Sequence, residues 1–151
     1  MPTAINSDII ELSSQGKTQK FVNKILKEIK VGDVIFLYGE MGVGKTTFVK
    51  YLINQLQKRN KLKLTEVTSP TFSLLNEYQI NEIKVNHYDL FRLKSTDELK
   101  NLDLFADSST TITVIEWPQI IKDKPKKLIE LIFKYTNDYK KRSVQIKGID
   151  L

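Results

Sequence analysis

No cysteine occurs among the 151 residues, which excludes a disulfide framework and any thiolate metal site. No apolar run approaches the roughly 20 residues needed to span a bilayer. Met1–Leu12 lacks a basic segment followed by an apolar one, so no secretory leader is expected and the reading is a cytoplasmic protein. Arginine is scarce as well: of the 24 basic residues, only Arg59, Arg92 and Arg142 are not lysine. A net charge of +6 invites a nucleic-acid partner, but specific base and phosphate recognition leans on the planar arginine fork. The lysines are spread along the chain, denser only at Lys58–Lys63 and Lys122–Lys127, and read as a solvated surface. Weak attraction to an RNA-containing complex is all they support. With 40% hydrophobic and 28% charged residues the composition is that of a soluble globular protein. The length suits one compact domain over residues 1–151, burying roughly two-thirds of the unfolded chain's surface.

Glycine is also sparse, yet three of the 6 residues fall in the stretch Gly39-Glu40-Met41-Gly42-Val43-Gly44-Lys45-Thr46. This is a complete G-x-x-x-x-G-K-[ST] phosphate loop. Its context agrees: Val34-Ile35-Phe36-Leu37-Tyr38 is a short apolar run of the kind found in buried parallel strands. From Thr46 onward Phe48, Leu52 and Gln55/Leu56 recur about one turn apart, opening a helix. Glycines let backbone N–H groups turn inward around a β-phosphate, and the helix N-terminus adds partial positive charge. Lys45 would reach the β/γ-phosphates and the Thr46 hydroxyl would ligate Mg²⁺. The competing reading, a chance glycine turn before an ordinary helix, does not explain both flanks.

The remaining chain reads as alternating strands and helices with no repeat or linker. Asp8–Leu12 predicts a short strand, and Ser13 or Ser14 a cap for a helix whose face is Phe21, Ile25, Leu26 and Ile29. Gln57–Lys63 reads as a polar connection. Two strands, around Phe72–Gln79 and Ile83–Tyr88, are joined by a turn near Asn81-Glu82. Ser95-Thr96-Asp97-Glu98 has the form of a capping box that begins a short helix. Thr111–Ile115 is a β-branched, buried strand. The alternation around Ile129, Leu131, Phe133 and Tyr135, then Val144 and Ile146, predicts a C-terminal antiparallel hairpin closing an otherwise parallel sheet. The class is α/β with a mixed sheet.

A phosphate loop binds nucleotide, but hydrolysis needs a carboxylate opposite it for the metal and a positioned nucleophile. In open α/β sheets such groups lie just beyond the carboxyl ends of strands. Asp89 ends the Ile83–Tyr88 run, and Glu116 ends Thr111–Ile115 and precedes Trp117-Pro118. Each also reads as a solvated acid at a strand terminus; a functional role is favoured for both. Pro70 holds Ser69 extended, and the Ser69-Pro70-Thr71 hydroxyls could approach a γ-phosphate as a switch segment does, although on physics alone a Ser/Thr/Pro loop is more often merely a turn. His87, the single histidine, reads as a structural residue and stays outside the catalytic set. Trp117 would either pack in the core or lie near the nucleotide.

Four segments together resemble the TsaE (YjeE-like) family: Gly39–Thr47, Thr68-Ser69-Pro70-Thr71-Phe72-Ser73-Leu74-Leu75-Asn76-Glu77-Tyr78, His87-Tyr88-Asp89-Leu90-Phe91-Arg92-Leu93 and Ile115-Glu116-Trp117-Pro118. They occur in that order and spacing over roughly residues 8–149. The resemblance implies a P-loop NTPase-like three-layer fold with a mixed, mainly parallel sheet. It also implies Mg²⁺-dependent ATP binding, slow intrinsic hydrolysis and a place in threonylcarbamoyladenosine modification of tRNA. Family members are small bacterial ATPases that work with TsaD and TsaB, which transfer the threonylcarbamoyl group beside the anticodon. tRNA would be met indirectly, through that complex. By motif position Thr46 and Glu116 resemble the magnesium ligands, and Lys45, Asp89 and Glu116 the residues that carry hydrolysis. The nucleotide contacts expected are Ser14, Glu40, Met41, Gly42, Val43, Gly44, Lys45, Thr46, Thr47, Thr71, Asp89 and Arg142, with Ser14 on the adenine side. Two positions depart from the pattern: Gln119 stands where an acid is common, and Phe91 replaces a frequent tyrosine.

Two other functions fit a phosphate loop. A small-molecule kinase generally closes an arginine-bearing lid over the transferred phosphoryl group. Here three arginines and no long insertion are available. A nucleotide-gated binding module without essential hydrolysis is the second, and it shades into the family reading.

Overall fold

The computed structural model describes residues 9–105 and 109–151. Asp8, expected to open the first strand, lies outside them. The elements run β1 (Ile9–Glu11), α1 (Gln15–Glu28), β2 (Val34–Tyr38), α2 (Lys45–Arg59), β3 (Leu75–Ile80) and β4 (Ile83–Asp89). They continue through α3 (Thr96–Leu99), β5 (Thr111–Glu116), a 3-10 turn (Pro118–Ile120), β6 (Leu128–Thr136) and β7 (Lys141–Lys147). The seven strands form one sheet in the order β1-β7-β6-β2-β5-β4-β3. Its centre is parallel, with β2 between β5 and β6 and β4 beyond β5. Its margins are antiparallel: β3 on β4, β7 on β6 and β1 on β7. The mixed α/β class and the C-terminal hairpin are as the alternation predicts.

The layers follow from side-chain parity. On β2, Ile35 and Leu37 join the core beneath α1 and α2, whereas Val34 and Phe36 join a second core on the opposite face. Burial on both faces is why that strand has no polar alternation. The helix-side core packs Phe21, Val22 and Ile25 of α1 with Phe48, Val49, Leu52 and Ile53 of α2. Phe48 lies between Phe21 and Phe133, with ring centroids 5.7 and 5.9 Å away. Each such fully buried side chain contributes about 1.5–3 kcal/mol, so this face anchors α2 and fixes the loop at its N-terminus. The opposite face is covered more thinly, by Leu90, Leu104 and Ile121 around α3 and the 3-10 turn. Among the described residues no helix is long and apolar enough to cross a membrane.

Three local expectations need correction. The strand expected from Phe72 begins at Leu75, because the N–H of Leu74 closes a turn on the Pro70 carbonyl at 2.7 Å with Leu74 at φ +69°. Phe72 is left 84% exposed. The supposed polar connection begins inside α2, where Gln57 is buried. Its amide pairs with Asn54 and with both the N–H and the hydroxyl of Thr65, which satisfies its polar atoms without solvent. The short helix at Thr96 forms, but Ser95 makes no side-chain cap. Glu98 instead accepts from the N–H of Lys94 at 3.3 Å.

Candidate functional site

The loop between β2 and α2 is shaped by glycine where only glycine fits. Gly39 has φ +146°, and a Cβ there would lie 2.8 Å from the Phe133 carbonyl oxygen and from Val43. Gly44 caps α2 at φ +118°, a conformation L side chains rarely adopt. Positive φ at Gly39, Gly42 and Gly44 wraps the loop around the N-terminus of α2, the kind of place that binds anions. Val43 points the other way, buried in the helix-side core, and seats the loop on the fold.

A cavity of about 280 Å³ opens beyond this loop. It is lined by Met41, Gly42, Gly44, Lys45, Thr46 and Thr47 on one side and by Ser69, Thr71, Asp89, Phe91, Glu116 and Trp117 on the other. Most of the expected nucleotide and metal residues therefore converge there. Glu40, Val43, Ser14 and Arg142 do not line it. The Ser14 hydroxyl caps α1 by accepting the Lys17 N–H, and the Arg142 N–H donates to the Ser13 hydroxyl. One guanidinium nitrogen of Arg142 nevertheless reaches to 3.9 Å from where a Cβ on Gly44 would stand. A larger cavity, about 700 Å³, opens on the sheet's other face over Asn86, Tyr88 and Thr111 and shares no residue with this one.

Sheet register places the two acids side by side. Asp89 and Glu116 are the last residues of the parallel neighbours β4 and β5 and pair directly. Both are buried, with side chains on the helix-facing side of the sheet that Val85 and Val114 share. Glu116 accepts the Thr46 hydroxyl at 3.1 and 3.2 Å, which brings the two expected metal ligands together. Asp89 is held differently. One oxygen accepts the Phe91 N–H at 3.0 Å, and the other lies 3.1 Å from the hydroxyls of both Ser69 and Thr71. Lys45 donates to the Gly39 carbonyl, and its ammonium stands 3.6 Å from the centroid of the Trp117 ring. Burial pushes the Lys45 pKa below the ordinary lysine value, an effect that Glu116 and Asp89 oppose.

Two residues gain a place that the sequence does not assign firmly. Trp117 lies at the site, with φ +57°, a left-handed conformation costing a non-glycine residue about 1–2 kcal/mol. Its ring meets Phe91 at 4.9 Å. His87, read as merely structural, is fully buried with Nε2 2.6 Å from Glu116 Oε2. The signal for it is parity: residues two apart on a strand share a face, so His87 points where Asp89 points.

The donors suit a hard cation. Thr46 and Glu116 offer only oxygen, and among the described residues no group of three or more His, Cys, Asp or Glu side chains could hold a metal by itself. Mg²⁺ is commonly bound in this way, with few protein ligands and the rest from water and substrate phosphates.

A family model described as "Threonylcarbamoyl adenosine biosynthesis protein TsaE" matches residues 12–144. The chain is 37% identical over 138 residues to the "tRNA threonylcarbamoyladenosine biosynthesis protein TsaE" of Rickettsia bellii, covering 91% of this chain and 92% of that protein. A protein of the same name from Rickettsia conorii is 35% identical over 111 residues, 74% of this chain and 61% of that one. Among solved structures, the Bacillus protein YdiB superposes with a TM-score of 0.69 over 94% of this chain and 85% of its own. At 21% identity that likeness establishes the fold.

Proposed function

The chain belongs to the TsaE family, and on that premise we propose that it is a Mg²⁺-dependent ATP-binding protein and weak ATPase acting in threonylcarbamoyladenosine modification of tRNA. The observation that carries the nucleotide reading is the contact between the Thr46 hydroxyl and the Glu116 carboxylate across a cavity floored by a phosphate loop. The loop amides and Lys45 bind the β- and γ-phosphates. The ammonium exchanges the Gly39 carbonyl and the Trp117 ring for phosphate oxygens, gaining charge-assisted hydrogen bonds in a site that is largely shielded from water. Thr46 and Glu116 would hold the Mg²⁺, which when bound screens charge developing on the phosphoryl oxygens. Ser14 and Arg142, joined through Ser13 at the side of the loop, are assigned to the adenosine end. Glu40 and Val43 contribute through their backbone.

Support for a protein partner comes from the rim. Met41 and Phe91 are exposed large apolar residues lining the cavity, Phe72 next to the lining residue Thr71 is more exposed still, and the Arg92 guanidinium lies 4.9 Å over the Phe72 ring. Ser69–Leu75 orders around ATP·Mg²⁺ through Thr71 and with this rim forms the docking surface for TsaD–TsaB, which meets the tRNA. Pro70 limits the conformations that the segment loses on ordering.

ATP hydrolysis measured for the protein alone and then with TsaD and TsaB tests the proposal. Slow turnover alone, raised by the pair, is expected. Phosphoryl transfer to a small molecule would replace it with a kinase, and full support of the modification by a variant that binds but does not hydrolyse ATP would make it a nucleotide-gated module.

A further inference from the structure

We propose that His87 is a positioning residue for Glu116, fixing the carboxylate that faces the nucleotide's cation. This rests on the nucleotide-site reading above and assigns the site a residue outside the expected set. His87 pairs with Val114 across the parallel β4–β5 ladder, and Glu116 lies two residues further on the same face. The imidazole spans that diagonal to reach Glu116 Oε2 at 2.6 Å. A carboxylate only accepts, so Nε2 carries the proton, and Nδ1 is left buried with no hydrogen-bond partner among the described residues.

The partners of Glu116 are not equivalent. Its side-chain hydrogen bonds come from Thr46 and His87. Thr46 leaves this set whenever its hydroxyl turns a lone pair to a cation. His87 then supplies the remaining side-chain donor, from beneath the site, on a strand paired along both edges, by β3 and β5. The carboxylate is thereby kept in one rotamer, with Oε1 free to face the cavity. The 2.6 Å contact to Glu116 is the ring's one hydrogen bond among the described residues.

The test compares wild type with His87→Leu, His87→Gln and His87→Asn. Gln places an N–H donor near the position of Nε2, Asn is too short to reach it, and Leu has none. Calorimetry with a non-hydrolysable ATP analogue is run in chelator and at stepped Mg²⁺. In chelator all four proteins should bind alike, since the phosphates are held by Lys45 and the loop. The affinity gain that Mg²⁺ confers should fall by about tenfold or more in His87→Leu and His87→Asn and return in His87→Gln. Should His87→Leu not fold, His87→Asn against His87→Gln makes the same comparison. An unchanged Mg²⁺ gain in the variants, or a loss equal in Gln and Asn, overturns the proposal. If wild type itself binds no nucleotide, the site reading fails instead, a result distinguishable from failure of the histidine's role.

Discussion

The two acids at the strand ends are neighbours in register yet live in different halves of the site. Glu116 belongs to a rigid half: its partners are Thr46, on the first turn of a helix packed by four fully buried apolar residues, and His87, on a strand paired along both edges. Asp89 belongs to a loose half. Its partners Ser69 and Thr71 lie in a loop beyond the sheet, followed by a turn that leaves Phe72 in solvent. The same carboxylate chemistry therefore serves two ends. Glu116 is preorganised by elements that cost much to move, and Asp89 is a tether for a segment that costs little to move. A site that was to hold a cation and also report the state of a nucleotide, as proposed, would need one acid of each kind.

Removing what both halves share has the largest expected effect. Lys45→Ala should weaken nucleotide binding by about a hundredfold or more, about 3 kcal/mol, with the thermal midpoint little changed. Calorimetry with ATP and a melting curve check this, and near-wild-type affinity would remove the phosphate assignment. Breaking the rigid half comes next. Glu116→Ala should lower turnover by about a hundredfold while ATP affinity falls by less than about tenfold. Normal hydrolysis with normal Mg²⁺ dependence would pass the metal to Asp89 and erase the contrast.

The loose half should respond in dynamics rather than binding. Asp89→Asn removes the charged acceptor from Ser69 and Thr71 and should lower the melting midpoint by about 3 °C, with faster amide exchange confined to residues 68–75. Exchange spread through β4 and β5 would show that Asp89 is as structural as Glu116. The smallest effect on stability is expected from Thr71→Ala, within about 0.5 kcal/mol. Its mark is functional: recovery of TsaD–TsaB, higher with an ATP analogue than with ADP in the wild type, should lose that difference. Equal recovery in every nucleotide state of the wild type would leave a constitutive surface and no switch.

The central part of this contrast is legible in the order of the amino acids alone. Phosphate loop, strand-ending acids and the Ser69-Pro70-Thr71 segment are local patterns, and local patterns carry the α/β class as well. The features that are not legible depend on two elements at once. His87 is a lone histidine until β4 is set beside β5 in register, and Gln57 looks like linker until Thr65 folds back onto it. Phe72 reads as strand because it is aromatic and flanked by a threonine, but a turn closed by Leu74 overrides that preference. Ser95 matches a capping box by spacing, yet the carboxylate of Glu98 finds the Lys94 amide instead. Spacing proposes partners; the chain's path decides between them.

Trp117 has a consequence of a different kind. It is the chain's single tryptophan, and its indole lies against the ammonium that the proposed phosphate binding would move. A nearby cation perturbs an indole's excited state, and exchanging that cation for other contacts alters the emission. All indole fluorescence from this protein thus comes from one ring at the mouth of one cavity, with no signal from elsewhere to dilute it. Occupancy of the site can be followed in unlabelled protein, in real time, and in the presence of any partner made tryptophan-free.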